Sequence, residues 1–279
     1  WQRPSRENGL TVDHHSVVAN DSAPADARAN ASHGLLMGSA IWDPYSKRAH
    51  LFYTTACVGA ACVVAPPRAL HIHTESLDPW PGIDANTQMP SWSSAVDITA
   101  SLTSAHVHMI RFGPGTGVAL GNGQLLVCGV FGNSADTHSS AGMACVNAEQ
   151  KQIAVAGRMA LPGVSAVAMA TMQNSSVAFS LRVPDGLQLA FSDDHGRTFR
   201  LADWTWASTG ARPISTLLPL PAARCNGALT VLPTGDLALA YADAERQINL
   251  VLRNGSNGAW TKLPAKFWKT GTHGEDDRL

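Results

Sequence analysis

The chain has 279 residues and a formal net charge of −1, enough length for one large all-β domain or two ordinary ones. The near-neutral charge removes the electrostatic case for nucleic-acid or acidic-membrane binding, and 45% hydrophobic against 15% charged residues excludes disorder through charge excess. The longest apolar runs, such as VSAVAMATM at 164–172, are far too short to cross a bilayer, so no transmembrane segment is expected.

In chain order, the start Trp1-Gln2-Arg3-Pro4 is neither a Met start nor a charged-then-apolar leader, and the expectation is a processed or truncated piece. Helix signals are scarce. The 24 Gly and 16 Pro separate short alternating apolar runs, the pattern of an all-β protein. Strands are expected at 49–54 (AHLFYT), 123–131 (GQLLVCGVF), 176–182 (SVAFSLR) and 187–192 (LQLAFS). Near the end, 228–232 and 237–241 flank Pro233-Thr234-Gly235-Asp236, a hairpin in which Pro presets φ and Gly accepts a positive φ. Period-2 burial then puts Leu237, Leu239 and Tyr241 on one face.

The five cysteines leave an odd one. Cys57 and Cys62 are close enough to bridge a tight loop, and Cys128 and Cys145 flank a possible hairpin. Spaced disulfides fit an oxidising compartment; five buried thiols fit the count equally. Four Asn-x-Ser sequons begin at Asn20, Asn30, Asn174 and Asn254 and point weakly to a secretory route. A secreted or lumenal location is the expectation. No Cys-x-x-Cys pair is present, so no structural zinc is expected.

The most informative stretch is AFSDDHGRTFR at 190–200, with Ser192, Asp194, Gly196, Thr198 and Phe199 in the order Ser-x-Asp-x-Gly-x-Thr-Phe. The Asp side chain can accept backbone N–H bonds within its own turn. Gly takes a positive φ at low cost, and the aromatic tucks under the hairpin. Asp194 is therefore a hairpin residue and not an active-site acid. Weaker echoes occur at Ser76-Leu77-Asp78 with Trp92-Ser93, and at Asn257-Gly258-Ala259-Trp260. Phe199 and Trp260 are 61 residues apart, and Trp92 and Phe199 are 107 apart. Those intervals suit four-stranded propeller blades of about 50 residues.

The 192–199 motif resembles the Asp-box of the sialidase (neuraminidase) superfamily, also called BNR-repeat proteins, whose fold is a six-bladed β-propeller. WSSAVDIT at 92–99, GPGTGV at 113–118 with the strand after it, and the segments 226–243 and 246–252 resemble further parts of that family. The resemblance implies a single all-β, sialidase-like six-bladed propeller over 1–279, with about four to five blades present and both ends incomplete. It also implies an exo-α-sialidase type of glycoside hydrolase acting on terminal sialic acids of glycoconjugates, without a cofactor or metal.

In that family three arginines hold the sugar carboxylate, whose geometry suits bidentate guanidinium donors. Cleavage uses a tyrosine activated by a glutamate, with an aspartate acid/base, a departure from the two-carboxylate scheme. Matched position by position, Arg182 corresponds to the second arginine and Arg246 to the third. Asp243, after Tyr241, either faces the pocket near Arg246 or holds an arginine or caps a turn. The activating glutamate should lie near Ala166, yet no carboxylate occurs between Glu149 and Asp185, and no tyrosine follows Tyr241. The first arginine and the aspartate belong to a blade expected before Trp1. No catalytic residue is therefore assigned, and this chain is expected to be impaired or inactive alone. Two other readings are a non-catalytic propeller that binds sialylated glycans or related acidic sugars, and a propeller used as a protein-interaction scaffold.

Other groupings carry less. His71-Ile72-His73 and His106-Val107-His108 are each expected to place two imidazoles on one strand face, without the Glu or Cys spacing of a zinc site. Asp13-His14-His15 lacks a nucleophile-elbow sequence. The glycine-rich 113–117 loop lacks the Lys-Ser/Thr end of a phosphate loop and is expected as a tight rim loop. Trp204 and Trp206 are candidates for an exposed aromatic face.

Overall fold

The computed structural model describes residues 32–58, 68–74, 92–113, 117–121, 123–132, 141–149, 152–184, 186–202, 205–206, 217–219, 227–242, 248–254 and 259–263. They form four sheets that follow one another along the chain as blades. Blade 1 comprises β1 (Ser32–Asp43), β2 (Arg48–Val58), β3 (Arg68–His73) and β4 (Val96–Asp97). A short helix, α1 (Thr99–Ser104), leads into blade 2. That blade holds β5 (Met109–Phe112), β6 (Val118–Ala119), β7 (Leu125–Gly132), β8 (Gly142–Glu149) and β9 (Gln152–Ala160).

Blade 3 comprises β10 (Ala166–Thr171), β11 (Val177–Val183), β12 (Gly186–Ser192) and β13 (Arg200–Ala202). Blade 4 comprises β16 (Ala228–Val231), β17 (Leu237–Ala242), β18 (Ile248–Arg253) and β19 (Ala259–Lys262). Two short strands extend these sheets: β14 (Thr205–Trp206) runs parallel to β19, and β15 (Leu217–Pro219) pairs with β12.

Within each blade consecutive strands pair antiparallel, and alternation sends one face to the preceding blade and the other to the next. Ile41, Phe52 and Ala69 of blade 1 meet Phe112, Leu125, Val127 and Val146 of blade 2. Leu126, Cys128 and Met143 of blade 2 meet Val167, Phe179 and Leu181 of blade 3. On its opposite face blade 3 places Ala168, Leu187 and Leu189 against Leu237, Leu239, Tyr241 and Val251 of blade 4. Each interface is an apolar sheet-on-sheet core. The expected grouping of Leu237, Leu239 and Tyr241 is thus observed, and its turn closes with Gly235 at φ +87° and the Gly235 N–H donating to the Leu232 carbonyl.

The sequence echoes fall at equivalent places. Phe199 lies between the third and fourth strands of blade 3, and Trp260 lies on the fourth strand of blade 4, fully buried. Trp92 bridges Thr74 just beyond the third strand of blade 1. Blade 2 has no counterpart, because Glu149 pairs directly with Gln152 in a tight hairpin. This explains why the first interval is near twice the blade length.

In the 192–199 turn, Asp194 Oδ1 accepts from the Ser192 hydroxyl and the Arg197 and Thr198 N–H groups, and Oδ2 accepts from the Thr198 hydroxyl at 2.6 Å. These bonds hold its carboxyl down to about 2 against the opposing desolvation. Gly196 has φ +83°, and an added Cβ there would meet Leu126 of blade 2 at 2.9 Å. Phe199 packs edge-on to Phe179, 5.6 Å between ring centroids. The turn is therefore both a hairpin cap and a wedge between blades.

Cys128 and Cys145 face each other across β7 and β8 and form a disulfide. One expectation fails. His106 ends the turn after α1 with φ +59° and His108 lies before β5, so these two are not on one strand face. The two-residue rule holds only in extended backbone. Asp13, His14, His15, Cys57's side chain, Cys62, Ser76 to Asp78, Trp204 and residues 114–116 lie outside what is described.

Candidate functional site at the Arg182 end

The hairpin turns of blades 3 and 4 at 172–176 and 232–236 lie at one end, where Gln173 Nε2 donates to the Pro233 carbonyl at 3.0 Å. The C-terminal ends of β11 and β17 therefore lie together at the opposite end. Arg182 is the penultimate residue of β11. The segment holding Asp243 and Arg246 begins where β17 ends and leads to β18; both residues lie outside the described ones.

Arg182 is placed by cross-strand register. It sits opposite Ala166 on β10 and Leu187 on β12. Ala168 and Leu187 belong to the core shared with blade 4. Since cross-strand partners share a face, Arg182 is on the blade-4 side. Its backbone carbonyl accepts from the Ser165 N–H at 2.8 Å, which secures the strand end. Arg182 is half-buried, and its guanidinium makes no hydrogen bond or ion pair among the described residues. Two residues earlier on the same face, the Ser180 hydroxyl is buried and has no partner among them either.

The residue facing Arg182 is the decisive one. The family resemblance implied a carboxylate near 166, and register places Ala166 directly across from Arg182, 2% exposed. A methyl group therefore occupies the position across from Arg182. Nothing opposite Arg182 on β10 can take up or give a proton.

Histidines supply a second cluster, only part of which was expected. His71 and His73 share a face of β3 as predicted, and β2 register adds His50 beside them. The three rings stack at 5.3 to 5.7 Å between centroids, and His50 Nδ1 lies 3.0 Å from His71 Nε2. Burial, reinforced by the neighbouring imidazoles, lowers His71 to about 3 and His50 to about 4. Among the described residues no group of three His, Cys, Asp or Glu is arranged to hold a metal ion. The alternation His50-x-Phe52-x-Thr54 was the available signal for His50, but only hairpin register links it to His71.

No family model and no curated protein matches this chain. Solved structures do. The Hadza microbial sialidase Hz136 superposes with a TM-score of 0.61 at 14% identity, covering 86% of this chain and 46% of that one. Trypanosoma rangeli sialidase in complex with sialic acid gives 0.60 at 14% identity, and the same enzyme with the inhibitor DANA gives 0.61 at 12%. Both cover 84% of this chain and 39% of the enzyme. The chain thus spans under half the length of the sialidases it matches, and no helix among its described residues is long and apolar enough to cross a membrane. Four consecutive blades, each built on four antiparallel strands and three of them extended by a fifth short one, with this superposition give the chain a sialidase-like β-propeller fold.

Proposed function

We propose that the protein is of exo-α-sialidase type and engages terminal sialic acids of glycoconjugates at the Arg182 end of the propeller, with hydrolysis impaired in this chain. The observation that carries this is Arg182, half-buried at a strand end, with a guanidinium that has no anionic partner among the described residues. A planar fork in that setting suits a sugar carboxylate. Arg246 is the second arginine of the proposal, with Asp243 as its neighbour. One related neighbour is a sialidase solved with sialic acid bound, which makes that acid the natural first ligand to try.

Ala166 opposite Arg182 favours a second reading, a propeller that binds sialoglycans without cleaving them. The two separate in one experiment. Turnover of a fluorogenic sialoside and saturable sialoside binding are measured on the protein and on Arg182→Ala. Binding without turnover, weakened about tenfold or more by the substitution as expected for a lost charge-assisted contact, selects the lectin-like reading. Turnover selects the enzyme. No binding and no turnover by a folded sample overturns both and leaves the interaction-scaffold reading. A secreted or lumenal location belongs to this proposal and is supported by the Cys128–Cys145 bond, since disulfides persist in oxidising compartments.

A further inference from the structure

At the end of the propeller opposite Arg182, two arginines from different blades meet one aromatic ring. Arg200 begins β13, immediately after the 192–199 turn, and lies across from Phe191 in register. Its guanidinium carbon is 4.8 Å from the Phe191 centroid. Arg253 ends β18 of blade 4, and its guanidinium carbon is 5.0 Å from the same centroid. The two cations therefore stand no further apart than those two distances together.

Like charges do not gather without cause. Burial and the Arg200 charge both act against the Arg253 cation. The Arg253 Nε is buried and has no acceptor among the described residues. The ring supplies some compensation through its π-face. Among the described residues the one carboxylate engaged is Asp193, which pairs with Arg200 Nε at 3.2 Å with both side chains 60% exposed. An ion pair that exposed is weak and easily displaced. Among the described residues two cations thus share one replaceable anion, and the Arg253 guanidinium is paired with none.

We propose that Arg200, Arg253 and the Phe191 ring form a binding site for a tetrahedral oxyanion, of the sulfate or phosphate class, at the junction of blades 3 and 4. The tetrahedral class follows from the approach directions. One guanidinium comes from the sheet that carries Phe191 and the other from the facing blade. A carboxylate presents both oxygens along one edge, whereas a tetrahedral anion offers a separate pair of oxygens to each fork. The site is independent of Arg182 and of the proposed sialoside chemistry.

The test is titration of the folded protein with inorganic sulfate, inorganic phosphate and acetate in low-salt buffer, followed by calorimetry. Saturable sulfate or phosphate binding is expected, weakened about tenfold or more by Arg200→Gln or Arg253→Gln. Asp193→Asn, which releases Arg200, should tighten it. Arg197→Gln removes an equal charge from the exposed tip of the same turn and should leave it nearly unchanged. Absence of saturable binding, acetate binding as well as sulfate, or equal losses in Arg197→Gln and Arg253→Gln would each overturn the assignment. Should Arg253→Gln fail to fold, Asp193→Asn against Arg197→Gln decides it.

Discussion

Acidification should destabilise this protein through blade 1, and the histidine stack sets the size of the effect. His71 is 7% exposed and held neutral to about pH 3, and His50, half-buried, to about pH 4, both from 6.5. Burial is the first cause in each, followed by His50 and His73 acting on His71, and by His73 and Arg48 acting on His50 against Asp43. Above pH 6.5 neither state binds these protons and stability is unaffected. Below it the unfolded chain takes them up and the native one does not, so stability falls until the folded values are reached.

The slope is about 1.4 kcal/mol per pH unit for each such histidine. Between pH 7 and pH 5 this amounts to about 2 kcal/mol for His71. His50 contributes less than that, because its shift is smaller and the residue is only half-buried. Against a typical total of about 5–15 kcal/mol, the loss is readily measured.

The assay is the urea midpoint from pH 7 to pH 5 for the protein and for His71→Phe, which keeps a ring against Phe52, now 4.5 Å away. The difference between the two curves removes the titrating groups that do not touch His71, leaving His71 and its contact with His50. The variant should lose about 2 kcal/mol less over that interval. If both proteins lose the same amount, the stacked histidines are not the source and the reasoning is wrong.

Three further outcomes rest on other parts of the fold. Gly157→Val places a Cβ 2.3 Å from the Arg197 carbonyl oxygen, so β9 must move away from the 192–199 turn; a loss of about 3 kcal/mol is expected by denaturant titration. Asp194→Ala strips four acceptor contacts from that turn and should cost about 1–2 kcal/mol at pH 7. Because folding lowers the Asp194 pKa to about 2, that contribution is complete above about pH 4 and disappears as pH falls through 2, which pH-dependent unfolding of the pair of proteins would reveal. Reduction of Cys128–Cys145, separated by 17 residues, should lower stability by about 3 kcal/mol, seen as a lower melting temperature in reductant; an unchanged value would mean the bond does not constrain the unfolded chain.

Features written in consecutive residues were legible before any coordinates. The 233–236 turn, the 192–199 turn and the alternating strands follow from φ preferences, short side-chain-to-backbone bonds and period-2 burial. All of these act within a few residues. The family resemblance drew attention to Ala166, but only the β10–β11 register places it directly opposite Arg182. The rest depends on residues brought together by sheet register or blade stacking. His50 joins His71 only once β2 and β3 are paired. His106 loses its expected strand face because α1 precedes it with its own turn. Arg200 and Arg253 share Phe191 only because blade 4 packs onto blade 3, and Gly157 is needed because a turn from the next blade presses on β9. Such contacts are chosen by the packing of one sheet on another, and local pattern in a single chain carries no record of which face will meet which.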